Sequence, residues 1–148
     1  MSTVKQCLDQ KPKTIVSVSP TDKVIKALEL MRDHRVRAIM VVEGDKLVGI
    51  VSQGDCAIKV LLPGADAKQI TIDSIMTPNP LTVKLGDELD SCMVTMVQRH
   101  IRHLPVVEGD QLVGVLSIGD IVKEILNAQG IQIQFLETYI RGQGPYSR

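Results

Sequence analysis

The sequence predicts an α/β (α+β) fold in which one β-α-β-β-α unit occurs twice. Residues 36–61 and 101–126 align without a gap at a constant offset of 65 positions, and 13 of the 26 aligned pairs are identical. A match of this length without gaps indicates an internal duplication. Each copy has about 50 residues, which is marginal for a unit that buries its own core, so we expect the two copies to depend on each other.

The duplication sets the expected boundaries within a single module over residues 1–148. An N-terminal helix is expected at residues 2–10, and the tail, which contains two glycines and a proline, is expected to be disordered. The other expected segments are repeat 1 at 13–62, a linker at 63–78, repeat 2 at 79–127, a C-terminal helix at 131–141 and the tail at 142–148.

Each repeat begins with a short apolar strand, at Ile15–Val18 and again at Leu81–Val83, and a helix follows. Apolar side chains recur there at the i, i+3, i+4 and i+7 spacing of one helix face. Ser19 or Thr21 is the expected cap of the first helix, and Gly86-Asp87 opens the second. The apolar sets are Val24, Ala27, Leu28 and Met31 in repeat 1 and Leu89, Cys92, Met93 and Met96 in repeat 2.

A hairpin and a second helix complete each repeat. Glu-Gly-Asp stands at 43–45 and again at 108–110, and Gly tolerates the positive φ that a tight hairpin requires. The second helices begin at about Gly54 and Gly119, which places helices on one side of a small sheet. Strands are expected at 38–42, 46–51, 104–107 and 111–116, and a short helix at 72–76 in the linker.

The composition argues against several classes of function. With 17 basic and 17 acidic residues the formal net charge is zero, whereas a general nucleic-acid binder needs surplus Lys and Arg. Three cysteines without close spacing give neither a disulfide framework nor a zinc pattern, and Cys56 and Cys92 are expected to be buried thiols. No apolar run is long enough to span a bilayer, and residues 1–13 lack a signal-peptide core, so we expect a cytoplasmic protein.

The motif Gly-x-x-Ser-x-x-Asp occurs in both copies, at Gly49–Asp55 and Gly114–Asp120. Leu104-Pro105-Val106 leads into a strand of repeat 2, and Ile75-Met76-Thr77 stands between the copies. On these residues the chain closely resembles a tandem pair of cystathionine β-synthase (CBS) domains, a Bateman module, of the stand-alone bacterial or archaeal type. Repeat 1 departs from the pattern at Ile39-Met40-Val41, where the proline is missing.

The resemblance covers about residues 12–127 and implies both architecture and function. It implies two repeats packed with pseudo-twofold symmetry, a homodimer, and a regulatory module that is not a catalyst. An adenosine-containing ligand is expected in the cleft between the copies, with AMP favoured and ATP, ADP, NAD or S-adenosylmethionine also open. The 148 residues contain no fused catalytic domain, so the module is expected to signal to a partner protein in trans, or to buffer or report the ligand.

The Ser-x-x-Asp part of the motif has two interpretations. Ser52 and Ser117 stand where a strand ends and a helix begins, and the free N–H groups of a helix start attract phosphate. Asp55 and Asp120 would offer two carboxylate oxygens to the adjacent hydroxyls of a ribose. The same sequence also resembles a helix capping box, and one residue can serve both purposes.

All three histidines lie in two basic clusters, each between a helix and a strand: His34, Arg35 and Arg37, then Arg99, His100, Arg102 and His103. Favourable charge at a helix C-terminus and contact with a ligand are both open for His34, Arg99 and His100. Arg102 and His103 are better placed for a ligand phosphate, and no Cys or carboxylate has the spacing for a zinc site with His100 and His103. The extra histidine and the proline of repeat 2 predict tighter binding at Asp120 than at Asp55.

The adenine is expected between aliphatic side chains, because the three aromatic residues, Phe135, Tyr139 and Tyr146, all lie beyond the repeats. Backbone groups near Thr14 and Pro80 would read the edge of the base. The full set of expected ligand-binding residues, following the family pattern, is Thr14, Ile15, Val16, Arg37, Ala38, Ile39, Ser52, Asp55, Pro80, Leu81, Thr82, Arg102, His103, Leu104, Pro105, Ser117, Ile118, Gly119 and Asp120.

Two other classes of protein compete with the sensor. A structural dimerisation or docking protein that binds no nucleotide is consistent with the apolar faces of the repeat helices. An enzyme is disfavoured, because the sequence has no Ser-His-Asp order, no pair of acids beside a base and no Walker motif. Nucleic-acid binding is disfavoured by the zero net charge and by the lack of interleaved aromatic and basic residues.

Overall fold

The structure is a computed structural model that describes residues 2–12 and 14–128, and the α+β class predicted from the sequence is confirmed. Six strands form a sheet in the order β1-β2-β3-β6-β5, with β4 paired to β3. The elements are α1 (Val4–Asp9), β1 (Ser17–Val18), α2 (Val24–His34), β2 (Ala38–Glu43), β3 (Lys46–Ser52), α3 (Gln53–Cys56, continued by the π-helical turn Ala57–Leu61), a 3-10 turn (Ile72–Ser74), β4 (Thr77–Pro78), α4 (Leu89–Arg99), β5 (His103–Glu108), β6 (Gln111–Ser117) and α5 (Ile118–Ala128).

Both predicted hairpins are present, and each turns at its glycine. Gly44 and Gly109 both have a φ of +61°, in the left-handed region that a glycine adopts without steric cost. The expected N-terminal helix and the short helix in the linker are also present, as α1 and the 3-10 turn. The predicted C-terminal helix at 131–141 and the tail at 142–148 lie outside the described residues.

The expected strand at Leu81–Val83 was wrong. Within the described chain this segment contributes a single parallel bridge, from Val83 to Val106. Leu81 and Thr82 are exposed, and Pro80 has no backbone N–H to donate to a neighbouring strand. In repeat 1 the corresponding strand is shorter than expected and contains Ser17 and Val18, which pair in parallel with β2.

The chain divides into two compact units. Unit 2 contains residues 14–82 and 107–114, and the described part of unit 1 contains residues 2–12, 83–106 and 115–128. In unit 2, helix α2 buries Val24, Ala27 and Met31, which belong to the predicted apolar face. The core of unit 2 consists of Val18, Val24, Ala27, Met31, Ile39, Val41, Val51, Cys56, Val60, Ile72 and Ile75.

The segment that follows repeat 1 in the chain closes the core of unit 2. Thr71 forms an isolated bridge with Lys23, and the Ile72 N–H donates to the Asp22 carbonyl at 2.9 Å. The Val24 N–H in turn donates to the Ile70 carbonyl at 3.0 Å. Ile72 is fully buried, so this segment is an integral part of the unit.

The N-terminal segment, residues 2–12, closes unit 1 in the same way. Thr3 bridges Glu88, the Val4 N–H donates to the Asp87 carbonyl at 2.9 Å, and the Leu89 N–H donates to the Ser2 carbonyl at 3.0 Å. Thr3 and Val4 therefore correspond to Thr71 and Ile72, at an offset of 68 positions. The duplication thus includes the segment that precedes each repeat in the chain. Because the segments are 68 positions apart and the repeats 65, the connection from segment to repeat is three residues longer in the first copy.

The expected capping of α2 by Ser19 or Thr21 was wrong. Lys23 precedes the helix, and within the described residues no side chain caps it. Asp22 instead accepts the Ser19 N–H at 2.8 Å, and this hydrogen bond lowers the pKa of Asp22. Asp87 accepts the Lys84 N–H at 2.9 Å before α4. No hydroxyl cap is needed, because the first N–H groups of α2 donate to backbone carbonyls: Val24 to Ile70 at 3.0 Å and Ile25 to Ala67 at 2.9 Å.

We predict that Gly49→Ala destabilises the protein by about 1–3 kcal/mol, because the added methyl group overpacks a closed contact. A Cβ at Gly49 would lie 2.6 Å from Met76 Sδ and 3.0 Å from the Thr77 carbonyl oxygen, where β4 pairs with β3. The free energy of unfolding in urea measures the effect. Gly86→Ala is the matched control, because a Cβ there meets no described atom within 4 Å. Equal stability of the two variants would contradict the prediction.

Candidate ligand-binding sites at the two Ser-x-x-Asp turns

In unit 2, the first Ser-x-x-Asp turn joins the end of β3 to the start of α3. Asp55 Oδ2 accepts the Ser52 N–H at 2.9 Å and the Ser52 hydroxyl at 3.0 Å. The Asp55 N–H in turn donates to Ser52 Oγ at 3.1 Å. These reciprocal bonds form a capping box, so the capping interpretation of this motif is confirmed.

In unit 1, the second turn joins β6 to α5 with the same geometry. Asp120 Oδ2 accepts the Ser117 N–H at 2.9 Å, and the Asp120 N–H donates to Ser117 Oγ at 3.1 Å. Both aspartates are half-buried, so each carboxylate lies at the rim of its unit and not in its core. The sequence duplication is therefore a duplication of side-chain geometry as well.

One backbone hydrogen bond joins each turn to the basic cluster of its own repeat. The Gln53 N–H donates to the Arg37 carbonyl at 3.0 Å, and the Ile118 N–H donates to the Arg102 carbonyl at 3.0 Å. Because of these bonds, the backbone of Arg37 and that of Arg102 lie beside the first residue of a helix. Their side chains are exposed, and His103 is half-buried.

The sequence analysis missed one lysine at each turn. Lys59 Nζ lies 3.3 Å from Asp55 Oδ1 and also donates to the Ile75 carbonyl at 2.9 Å. Lys11 Nζ lies 2.7 Å from Asp120 Oδ2 and donates to the Val115 carbonyl at 2.9 Å. The i, i+4 spacing of Asp55 and Lys59 is a signal that could have found the first pair. No local spacing connects Lys11 with Asp120.

The position equivalent to Lys59 reverses its charge in repeat 2. Glu124 stands there, 8% exposed, and its Oε1 accepts the Ser2 hydroxyl at 3.3 Å. Its Oε2 is buried, and the described residues give it no hydrogen-bond partner. The turn at Asp55 therefore has a lysine from its own helical segment, whereas the turn at Asp120 has a neighbouring acid and a lysine from the N-terminal segment.

The expected adenine-binding residues differ in how accessible they are. Ile39 and Leu104 are fully buried, and Ile39 belongs to the core of unit 2, so both contribute to packing. Leu81 is exposed. The other positions are the exposed Thr14 and Thr82, the half-buried Ile15, Val16, Ala38, Pro80, Ile118 and Gly119, and the buried Pro105, whose carbonyl accepts the Val83 N–H at 3.0 Å.

The remaining basic residues end the helices that precede the hairpins. His34 and Arg99 lie in the last turns of α2 and α4. Arg35 and His100 follow as C-cap residues, each with a φ of +55° in the left-handed region. These positions are consistent with the helix-dipole interpretation of His34, Arg99 and His100, which stays a prediction.

The three cysteines are free and buried. Burial raises the pKa of Cys56 and of Cys92, as expected for thiols inside apolar packing. Burial, followed by the charges of Asp120 and Glu124, raises the pKa of Cys7 to about 12. Cys7 Sγ lies 3.4 Å from the Asp120 carbonyl oxygen, to which it donates a weak hydrogen bond.

A tandem α+β repeat with a Ser-x-x-Asp turn at the start of a helix in each copy defines the class of protein. The CBS domain family model matches twice, over residues 12–61 and 72–127, and the chain belongs to that family. The predicted family is therefore confirmed. No helix in the described part of the chain is both long enough and apolar enough to cross a membrane.

Three relatives illustrate the similarity. The CBS domain-containing protein CBSX3, mitochondrial, of Arabidopsis thaliana is 32% identical over 126 residues, a match that spans 82% of this chain and 61% of the relative. A solved structure of a protein with CBS domains from Burkholderia ambifaria MC40-6 is 38% identical, with a TM-score of 0.81 over 89% of this chain and 99% of that one. The structure of CBSX2 in complex with AMP is 28% identical, with a TM-score of 0.72 over 86% and 98%.

We predict that Cys7 resists alkylation in the folded protein. At pH 8 a thiol with a pKa of about 12, in place of the usual 9.0, has about a thousandfold less thiolate, which is the reactive form. The folded pKa lies above the unfolded one, so the buried thiol contributes to stability below pH 9.0 and loses that contribution as the pH rises toward 12. Iodoacetamide labelling at pH 8, with and without urea, followed by peptide mass spectrometry measures this protection. Labelling of Cys7 in the native protein at the rate seen in urea would contradict it.

Proposed function

We propose that this protein is a non-catalytic regulatory sensor that binds an adenosine-containing ligand and signals to a partner protein in trans. The observation that carries the proposal is the pair of equivalent Ser-x-x-Asp turns. At each, a half-buried carboxylate, the first N–H groups of a helix and the backbone of an arginine lie together. The expectation that the ligand lies in a cleft shared by the two copies stays a prediction.

The chemistry of each turn fits a nucleotide. A carboxylate has about four lone-pair sites, so the hydrogen bond that caps the helix and the hydrogen bonds to a ribose can coexist on one aspartate. A phosphate is favoured near free N–H groups at a helix start and near the neighbouring Arg37 or Arg102. Charge-assisted hydrogen bonds of this type contribute about 1.5–3 kcal/mol each.

AMP is the favoured ligand. The relative CBSX2, which is solved in complex with AMP, supports this choice, and its fold matches over most of this chain. ATP, ADP, NAD and S-adenosylmethionine share the same adenosine group and are the alternatives. The repeats contain no aromatic residue for base stacking, so half-buried aliphatic side chains such as Ile15, Val16 and Ile118 would have to contact the adenine.

We predict that AMP raises the melting temperature and that Asp55→Asn and Asp120→Asn each weaken AMP binding at their own site by about ten- to a hundredfold. Asparagine keeps an oxygen that can accept the capping N–H, so the helix start is preserved while the charge is lost. Isothermal titration with AMP, GMP and IMP measures both affinity and base selectivity, and it also compares the two sites, of which Asp120 is expected to bind more tightly.

Asp22→Asn and Asp87→Asn are the matched controls. Each of these aspartates accepts a backbone N–H from three residues earlier, as Asp55 and Asp120 do. Neither stands in the full Gly-x-x-Ser-x-x-Asp motif, because Val16 replaces the glycine before Ser19 and Lys84 stands three positions before Asp87. Unchanged nucleotide binding in the Asp55→Asn/Asp120→Asn double variant, or equal losses in the control variants, would refute the proposed sites.

One observation favours a second candidate function, that of a structural protein that forms a dimer and binds no nucleotide. The helical segment after the first turn presents three large apolar side chains to solvent: Ile58 is 63% exposed, Leu61 78% and Leu62 76%. Clusters of exposed apolar side chains of this kind mark interaction surfaces on soluble proteins. We propose that a second copy of the chain covers them in a homodimer.

We predict that Leu61→Glu/Leu62→Glu shifts the protein from dimer to monomer, because four buried carboxylates in the interface would be desolvated. Sedimentation velocity over a range of concentrations measures the change. Ala65→Glu, an exposed position just beyond this helical segment, is the control. A wild-type protein that is monomeric at high concentration, or a double variant that still forms dimers, would contradict the prediction.

A further inference from the structure

The N-terminal segment brings a positive charge from outside the repeats to the second Ser-x-x-Asp turn. Lys11 Nζ lies 2.7 Å from Asp120 Oδ2, the same oxygen that accepts the Ser117 N–H. It also donates to the Val115 carbonyl at 2.9 Å, on the strand that leads into the turn. Two acceptors from one turn therefore hold this ammonium group.

The position of Lys11 is fixed by the packing of the residues before it. Val4 and Cys7 are buried in unit 1, and a capping box at Thr3 starts helix α1. The Lys5 N–H donates to the Leu85 carbonyl at 3.0 Å, in addition to the backbone bonds at Ser2 and Val4. The stem of the segment is anchored, so the flexible side chain of Lys11 can move without undocking α1.

The proposed function places the ribose on the carboxylate that Lys11 already contacts. The two adjacent hydroxyls of a ribose would use both carboxylate oxygens, so the hydroxyl that donates to Asp120 Oδ2 has to take the place of the ammonium group or share the oxygen with it. A nucleoside offers no compensation, because it carries no charge. A nucleotide brings a phosphate, and an ammonium on a four-carbon stem is well suited to move from a carboxylate to a neighbouring phosphate.

We infer that Lys11 is a specificity-determining residue of the Asp120 turn, one that selects phosphorylated adenosine ligands over adenosine itself. The inference rests on the proposed function and adds selection by charge to it. Lys11 weakens binding of the neutral nucleoside, because its ammonium group competes with the ribose for Asp120 Oδ2. It strengthens binding of the nucleotide, because the ammonium group can contact the phosphate.

The two turns are expected to differ in this respect. Lys59 lies in the same helical segment as Asp55, contacts Oδ1 at the longer distance of 3.3 Å and is more exposed than Lys11. Selection against the nucleoside is therefore expected to be stronger at Asp120 than at Asp55.

The test measures the ratio of the adenosine dissociation constant to the AMP dissociation constant by isothermal titration. All proteins carry Asp55→Asn, which weakens the first site, so that the tighter binding phase reports the Asp120 turn. We expect Lys11→Met, which keeps the length of the side chain and removes its charge, to lower this ratio by about fivefold or more, with AMP bound more weakly and adenosine bound no less tightly. Lys11→Arg is expected to preserve the selectivity.

Lys5→Met is the matched control. It removes the same charge from the same segment, but Lys5 pairs with Asp9 at 2.8 Å on the exposed side of α1 and does not contact the turn. We expect its adenosine-to-AMP ratio to equal that of the parent protein. A similar drop in this control would show a general charge effect and would overturn the inference.

The failure of the inference is distinguishable from the failure of the proposed function. If AMP binds and Lys11→Met leaves the ratio unchanged, or weakens both ligands equally as a structural role would, the inference is overturned and the proposed function stands. If AMP binds the wild-type protein but not the Asp55→Asn parent, the Asp120 turn is not a site and the inference is overturned. If neither ligand binds the wild-type protein, both proposals are overturned.

Discussion

The organisation of each repeat depends on one recurring interaction, an aspartate carboxylate that accepts the backbone N–H of the residue three positions before it. Asp22, Asp55, Asp87 and Asp120 all make this bond, at donor–acceptor distances between 2.8 and 2.9 Å. Each bond closes a turn at the start of a helix or shortly before it, and it gives a backbone N–H of that turn an acceptor. These turns set the direction in which each segment leaves its strand or loop, and they set the position of the two carboxylates proposed to bind a ligand, Asp55 and Asp120.

The predictions from sequence succeeded where the signal was local or repeated. The repeat at an offset of 65 positions predicted the two hairpins and the two Ser-x-x-Asp motifs. Hairpins and motifs alike depend on residues within a few positions of each other. The predictions failed for capping by Ser19 or Thr21, since carbonyls from a segment distant in sequence accept the first N–H groups of α2. They also failed for the strand at Leu81–Val83, where only Val83 forms a bridge. Lys11 was missed because docking of the N-terminal segment, and not spacing, brings it to Asp120.

The two copies have the same backbone geometry at their turns and different electrostatic surroundings. Arg37 and Arg102 make equivalent backbone bonds, whereas Lys59 in repeat 1 is replaced by the buried Glu124 in repeat 2. After the duplication, both copies kept the serine and aspartate that form the turn, whereas the side chains around the turn diverged. Two sites that look alike in sequence can therefore differ in charge, and ligand preference is expected to follow the charge.

The docking of the N-terminal segment has a consequence for biosynthesis. Most of unit 2 is a continuous stretch, residues 14–82, whereas unit 1 joins residues 2–12 to residues 83–106 and beyond. Thr3 pairs with Glu88, which is distant in the sequence, so this pairing cannot form before the ribosome has made the start of the second copy. During that interval Val4 and Cys7 lack their native packing, so these two residues become native late although they are synthesised before all of unit 2.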